Sequence, residues 1–209
     1  MTNSKLFDRC FIACGVILQL IVYAFTQGSL LSLTSGLCGI VSVVLCSQRK
    51  MSFYWFGFAQ LFTYVALCLQ QNLYGEIAEN VFYLVTMLYG IYHWLKHYDK
   101  DQLEVKTRGL KPSYKIGVFS LTAIGVLLLH IALSITNDTQ PFMDAITTVP
   151  AFTAQILMIL RFKESWVYWL IIDLGSIVMW IVASDWCMVA QFIFWSINCL
   201  YGYFKWKKE

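Results

Sequence analysis

The chain has 209 residues, 59% of them hydrophobic and only 13% charged, with a formal net charge of +3. A soluble domain carries about 25% charged residues. The deficit runs along the whole chain, so a polytopic membrane protein is expected rather than a soluble domain with one anchor. The basic residues sit in loops on one side, so the net charge gives no reason to expect nucleic acid as a partner.

Eight apolar segments follow in chain order: Arg9–Thr26, Ser29–Cys46, Ser52–Gln70, Glu79–Lys96, Tyr114–Ser134, Met143–Leu160, Trp166–Ala183 and Cys187–Phe204. Each is about the 17–21 residues an α-helix needs to cross a bilayer core. Lys5 and Arg9 before the first segment could mark a signal peptide, but no small-x-small cleavage site follows cleanly and the next helix begins after Gln27-Gly28. A retained helix is therefore expected.

Alternate loops partition the charges. One side receives Lys5, Arg9, Arg49, Lys50, Lys96, Lys100, Lys106, Arg108, Lys111, Lys115, Arg161, Lys163, Lys205, Lys207 and Lys208, which is every Lys and Arg in the chain. The other receives Glu76, Glu79, Asp138, Asp144 and Asp185. The positive-inside rule then places both termini in the cytoplasm, and a miscounted helix would scramble the partition.

Helix four ends in Leu88-Tyr89-Gly90 with Trp94 and Lys96, and helix eight in Leu200-Tyr201-Gly202 with Trp206 and Lys208, an L-Y-G-x-x-x-W-x-K pattern repeated at an offset of 112. Tyr54-Trp55 matches Tyr168-Trp169 at an offset of 114, which a two-residue gap in a loop reconciles. Helices two to four thus resemble helices six to eight, with helix five between. Both triplets enter the membrane from the same side, so they form parallel repeats about an axis along the membrane normal, with a site expected at the repeat interface. The expected organisation is an extra N-terminal helix (1–27), a three-helix bundle (28–97), a cytoplasmic loop (98–113), a linker helix (114–138) and a second three-helix bundle (139–209).

Polar side chains interrupt otherwise apolar helices: Gln60 and Tyr64 in helix three; Asn80, Tyr83 and Met87 in helix four; Gln155 in helix six, after Thr148 and Pro150; Gln191, Trp195 and Asn198 in helix eight. In helix seven, Trp166, Trp169 and Asp173 share one face at i, i+3 and i+7. A carboxylate there costs roughly 2.5–3.5 kcal/mol on insertion scales, so it normally faces a protein-lined cavity. Amides also serve as interhelical hydrogen-bond glue, and Trp166, near its helix end, reads as an interfacial anchor. Aromatic faces with one carboxylate suit a flat organic cation; amides suit sugar hydroxyls or a carboxamide. The seven cysteines lack C-x-x-C spacing and read as packing residues. His93 and His97 lack a third metal ligand of clear spacing. No catalytic triad and no phosphate-binding glycine loop is visible, which disfavours an intramembrane enzyme or an ATP-driven pump. No metal or cofactor is expected.

Three stretches carry a family resemblance: Tyr74 to Gly90 followed by Trp94, Met143 to Met158, and Glu164 to Asp173, which looks like an E-x-W-x-x-W-x-x-x-N/D signature. They resemble the PnuC-type nicotinamide riboside transporters, over roughly Ser35 to Trp206. The resemblance implies a SWEET-like all-α fold and energy-independent facilitated diffusion of an unphosphorylated vitamin precursor for NAD synthesis. It also implies trapping by a separate cytoplasmic kinase, a homotrimer and a bacterial inner-membrane location. Trp169 and Asp173 match the family's substrate-meeting tryptophan and polar residue. Asp173 stands where several nicotinamide riboside carriers have Asn, and Met87 where many members have Gln or Asn. Relatives on the same fold carry thiamine, riboflavin or deoxynucleosides, so a thiamine facilitator is the nearest rival. The expected substrate-binding set is Trp169, Asp173, Asn80, Tyr83, Gln155, Trp195, Asn198 and Gln60.

Overall fold

The computed structural model describes residues 2–71, 74–135 and 141–207. Asp138, Lys208 and the boundary at 138–139 lie outside the described residues, as does the side chain of Lys5. Among the described residues the regular structure is helical apart from one short hairpin. The helices are α1 (Thr2–Thr26), α2 (Leu30–Ser47), α3 (Phe53–Gln70), α4 (Tyr74–Leu95), α5 (Pro112–Ser134), α6 (Pro141–Ile159), α7 (Ser165–Val182) and α8 (Trp186–Lys207). Strands β1 (Tyr98–Asp99) and β2 (Glu104–Val105) lie between α4 and α5. Among the described residues, five helical spans are long and apolar enough to cross a membrane, in α1, α2, α5, α7 and α8. The apolar part of α6, Asp144–Ile159, is shorter, and α3 and α4 carry many of the polar groups described below.

Local chemistry sets the boundaries. Ser29 caps α2 by accepting from the Ser32 amide at 2.9 Å. Pro112 opens α5, where its missing N–H is no loss. Helices α2, α6 and α7 end in a common way: Arg49, Arg161 and Ser184 take positive φ (63°, 66° and 57°). The next amides, of Lys50, Phe162 and Asp185, reach back to Leu45, Leu157 and Trp180 carbonyls at 2.8–3.1 Å. This double hydrogen-bonded stop usually recruits glycine, and a side chain there costs about 1–2 kcal/mol. Two of the three sites are arginines, whose guanidiniums return against the protein.

Two expectations are corrected. Helix α4 starts at Tyr74, not Glu79, which moves Glu76 out of the loop and into the wall of the molecule. The cause is helical periodicity, which continues through the two acids. The repeat register is uniform: α2, α3, α4 and their loops map onto α6, α7, α8 at an offset of 112 without the inferred two-residue gap, so Tyr54 corresponds to Trp166 and not to Tyr168.

The principal helix contacts run α2–α3–α4–α6–α7–α8 and back to α2, a closed ring of six. Helix α1 lies outside against α2 and α8, and α5 outside against α6. Leu121, Leu128, Phe119 and Ile116 on α5 are exposed, as a lipid-facing surface requires.

One end of the ring is sealed by paired aromatics. The indole N–H of Trp94 donates to the Ile159 carbonyl (3.1 Å), and that of Trp206 donates to the Ser47 carbonyl (3.1 Å). Both donors and both acceptors are related by the offset of 112. So are Cys46 and Met158, whose sulfurs touch at 3.4 Å. Tyr54 meets Trp94 edge-on, and Trp166 meets Trp206 edge-on. Val105 from β2 is buried in the same cluster.

Candidate functional site

The six-helix ring lines a half-open cavity of about 180 Å³. Its walls are apolar and aromatic, with a few convergent polar groups, the usual makeup of a small-molecule site. Helix α4 contributes a stripe at helical spacing: Glu76, Glu79, Asn80, Tyr83 and Met87. Helix α7 contributes Trp166, Trp169, Asp173 and Ser176. Helix α3 adds Gln60 and Tyr64, α6 adds Gln155, and α8 adds Trp195 and Cys199.

The polar groups are partly tied to one another. The Tyr83 hydroxyl donates to Glu79 (3.1 Å), and its ring stands edge-on to Trp169 at 5.8 Å. The Trp180 indole donates to the Tyr64 hydroxyl (3.3 Å), which donates to Glu76 (3.0 Å). Gln155 donates to the Thr86 hydroxyl (3.1 Å), joining α6 to α4. The Asn80 amide donates to the Glu76 carbonyl one turn back (2.7 Å).

Asp173 is 2% exposed, and its partner is the Cys199 thiol at 3.3 Å, a weak donor. Among the described residues, three carboxylates therefore border the cavity, and no Lys or Arg does. A buried carboxylate with no cationic partner is costly, so the site either binds a cation or holds protons. Trp195 lines the cavity, and its buried indole N–H has no partner among the described residues.

Seven of the eight expected residues line this cavity: Trp169, Asp173, Asn80, Tyr83, Gln155, Trp195 and Gln60. Asn198 does not. Its amide donates to the Val43 carbonyl (3.2 Å), and its oxygen accepts from Ser47 (3.2 Å), so it ties α8 to α2. Trp166 is not an interfacial anchor: it is 1% exposed, packs over Gly202 and borders the cavity at its sealed end. Glu76 and Glu79 are absent from the expected set, because the first lies outside the fourth apolar segment and the second only opens it. Their spacing to Tyr83 on one helical face was the signal that could have found them.

The model of the nicotinamide mononucleotide transporter family matches residues 29–208. The nicotinamide riboside transporter PnuC of Haemophilus influenzae is 31% identical over 212 residues, spanning 100% of this chain and 92% of its own. The PnuC of Neisseria mucosa is 27% identical, spanning 97% and 81%. A crystal structure of the vitamin B3 transporter PnuC superposes with a TM-score of 0.85 at 27% identity, covering 97% of this chain and 91% of that one. Ring, cavity and end-to-end similarity agree: this chain belongs to the nicotinamide mononucleotide transporter family.

Proposed function

We propose that this multi-pass membrane protein takes up nicotinamide riboside through the six-helix ring, using the cavity within the ring as the binding site. The observation that carries the reading is the cavity itself: an aromatic pair, Tyr83 and Trp169, beside the carboxylate of Asp173, with no basic residue lining it. A pyridinium is a flat cation, so it gains from aromatic faces and from the carboxylates at once. Gln60, Gln155, Asn80 and Trp195 supply donors and acceptors for a carboxamide and a ribose.

The mechanism is facilitated diffusion. Helices 28–97 and 139–209 act as two bundles joined by the linker 114–138, rocking about the site. Both termini face the cytoplasm, since all fifteen Lys and Arg fall to one side. Phosphorylation by a separate cytoplasmic kinase traps the cargo, and the protein works as a homotrimer in a bacterial inner membrane. The chain is a carrier and not an enzyme. The similarity to the named PnuC proteins supports the cargo.

Tryptophan fluorescence of the purified protein, titrated separately with nicotinamide riboside, thiamine and riboflavin, tests the reading. Saturable quenching by nicotinamide riboside at the lowest concentration is expected. Tighter binding of thiamine would overturn the assignment in favour of a thiamine facilitator on the same scaffold.

A further inference from the structure

The offset of 112 relates two polar clusters at the basic end, one on each seam between the repeats. At the α2–α8 seam stand Arg49, Tyr201 and Lys205. The chain supplies their counter-charges. Glu104 of β2 pairs with Arg49. Asp8 of α1 pairs with Lys205 at 2.7 Å and accepts from the Tyr201 hydroxyl.

At the α4–α6 seam the equivalent positions hold Arg161, Tyr89 and His93. Arg161 is 5% exposed. One guanidinium nitrogen donates to the Lys106 carbonyl, while its Nε is buried without a partner. The Nε2 of His93 is likewise buried without a partner. Among the described residues no carboxylate pairs with Arg161. The nearby acids are committed elsewhere: Glu164 to Lys115 at 3.0 Å and Asp99 to Lys106 at 3.3 Å. More positive charge surrounds the pair, since Arg108 and Lys96 both lie close enough to act on His93. Burial and the neighbouring Arg108 pull the Arg161 guanidinium down to about 10.

An uncompensated buried guanidinium is costly, and the pseudo-equivalent seam shows how the fold offsets that cost: with an anion. We propose that the α4–α6 seam at the basic end is a binding site for a phosphate group, held by Arg161, Arg108 and His93. A free phosphate ester and an anionic lipid headgroup share this chemistry, and basic pockets between helices on the cytoplasmic side suit both. The bound group takes the place that Glu104 and Asp8 fill at the other seam. It ties the loop 98–111 to the ends of α4 and α6 and holds that seam shut.

The test is thermal unfolding of the purified, delipidated protein. One arm adds inorganic phosphate against chloride at matched ionic strength. The other compares nanodiscs of phosphatidylglycerol with nanodiscs of phosphatidylcholine. Wild type should gain several degrees from at least one probe. Arg161→Gln should lose that gain, with apparent affinity down at least tenfold. Arg108→Gln, at a more exposed position, should weaken it and serves if Arg161→Gln fails to fold. Arg49→Gln should keep it. A gain in the phosphate arm identifies a free ester, and one confined to the lipid arm identifies a headgroup. No gain in wild type with either probe, or an equal gain in the folded Arg161 and Arg108 variants, overturns the proposal. No cargo is used, so the outcome does not depend on the transported vitamin.

Discussion

The sealed basic end and the cavity wall are built from the same pair of repeats, yet they use them differently. At the sealed end equivalent positions carry like residues: Trp94 and Trp206, Gly90 and Gly202, Tyr89 and Tyr201, Arg49 and Arg161. In the cavity they do not. Asp173 is equivalent to Leu61, Trp169 to Gly57, Asn80 to Phe192 and Glu76 to Met188. Closing a ring asks the same thing of both halves, so a pseudo-two-fold arrangement serves. A small molecule with a charged ring at one end has no such symmetry, and a site that fits it must break the repeat.

Four predictions test this contrast. Trp94→Ala and Trp206→Ala should each cost about 3–5 kcal/mol of stability through lost packing and a lost hydrogen bond. Their thermal unfolding shifts should match; a large inequality would show that the two halves of the seal are not equivalent. Asp173→Ala should weaken cargo binding roughly 10- to 100-fold, the range expected for losing a contact to a charged group of about 1.5–3 kcal/mol. It should leave the unfolding midpoint close to wild type, and unchanged affinity in the titration would remove Asp173 from the site.

Glycine substitutions come next. A Cβ on Gly202 would sit 2.5–2.8 Å from the Trp166 indole, and one on Gly90 would sit 2.6 Å from the Tyr54 hydroxyl. Both Ala variants should destabilise by about 1–3 kcal/mol. Gly202→Ala should cost more, because a buried indole gives way less easily than the tip of a tyrosine. Trp169→Phe should have the smallest effect, about 0.5–1.5 kcal/mol of affinity with Tyr83 still stacked edge-on. A loss of folded protein instead, seen in size-exclusion yield, would mark Trp169 as a packing residue.

Hydropathy and charge patterning, which are local, marked the eight helices in the sequence. Trp169 and Asp173 were legible because a carboxylate four and seven residues from two tryptophans has few structural uses in lipid. Glu76 was not, because an acid near a helix start looks the same whether it faces water or a cavity. Asn198 was misplaced for a related reason: an amide on an apolar helix reads alike at a site and at a seam, and only the position of Val43 and Ser47 on α2 separates the two. Trp166 looked interfacial by depth alone, until Trp206 and Gly202 enclosed it.

By itself, then, the sequence determined the all-helical membrane fold, the internal repeat and the shared face of Trp166, Trp169 and Asp173 on helix seven. These depend on composition and on spacing within single helices. The ring closure, the seal at one end and the unequal charge balance of the two seams were decided only by tertiary structure. Each depends on which residues more than 50 positions apart come within hydrogen-bond distance, and no local periodicity records that.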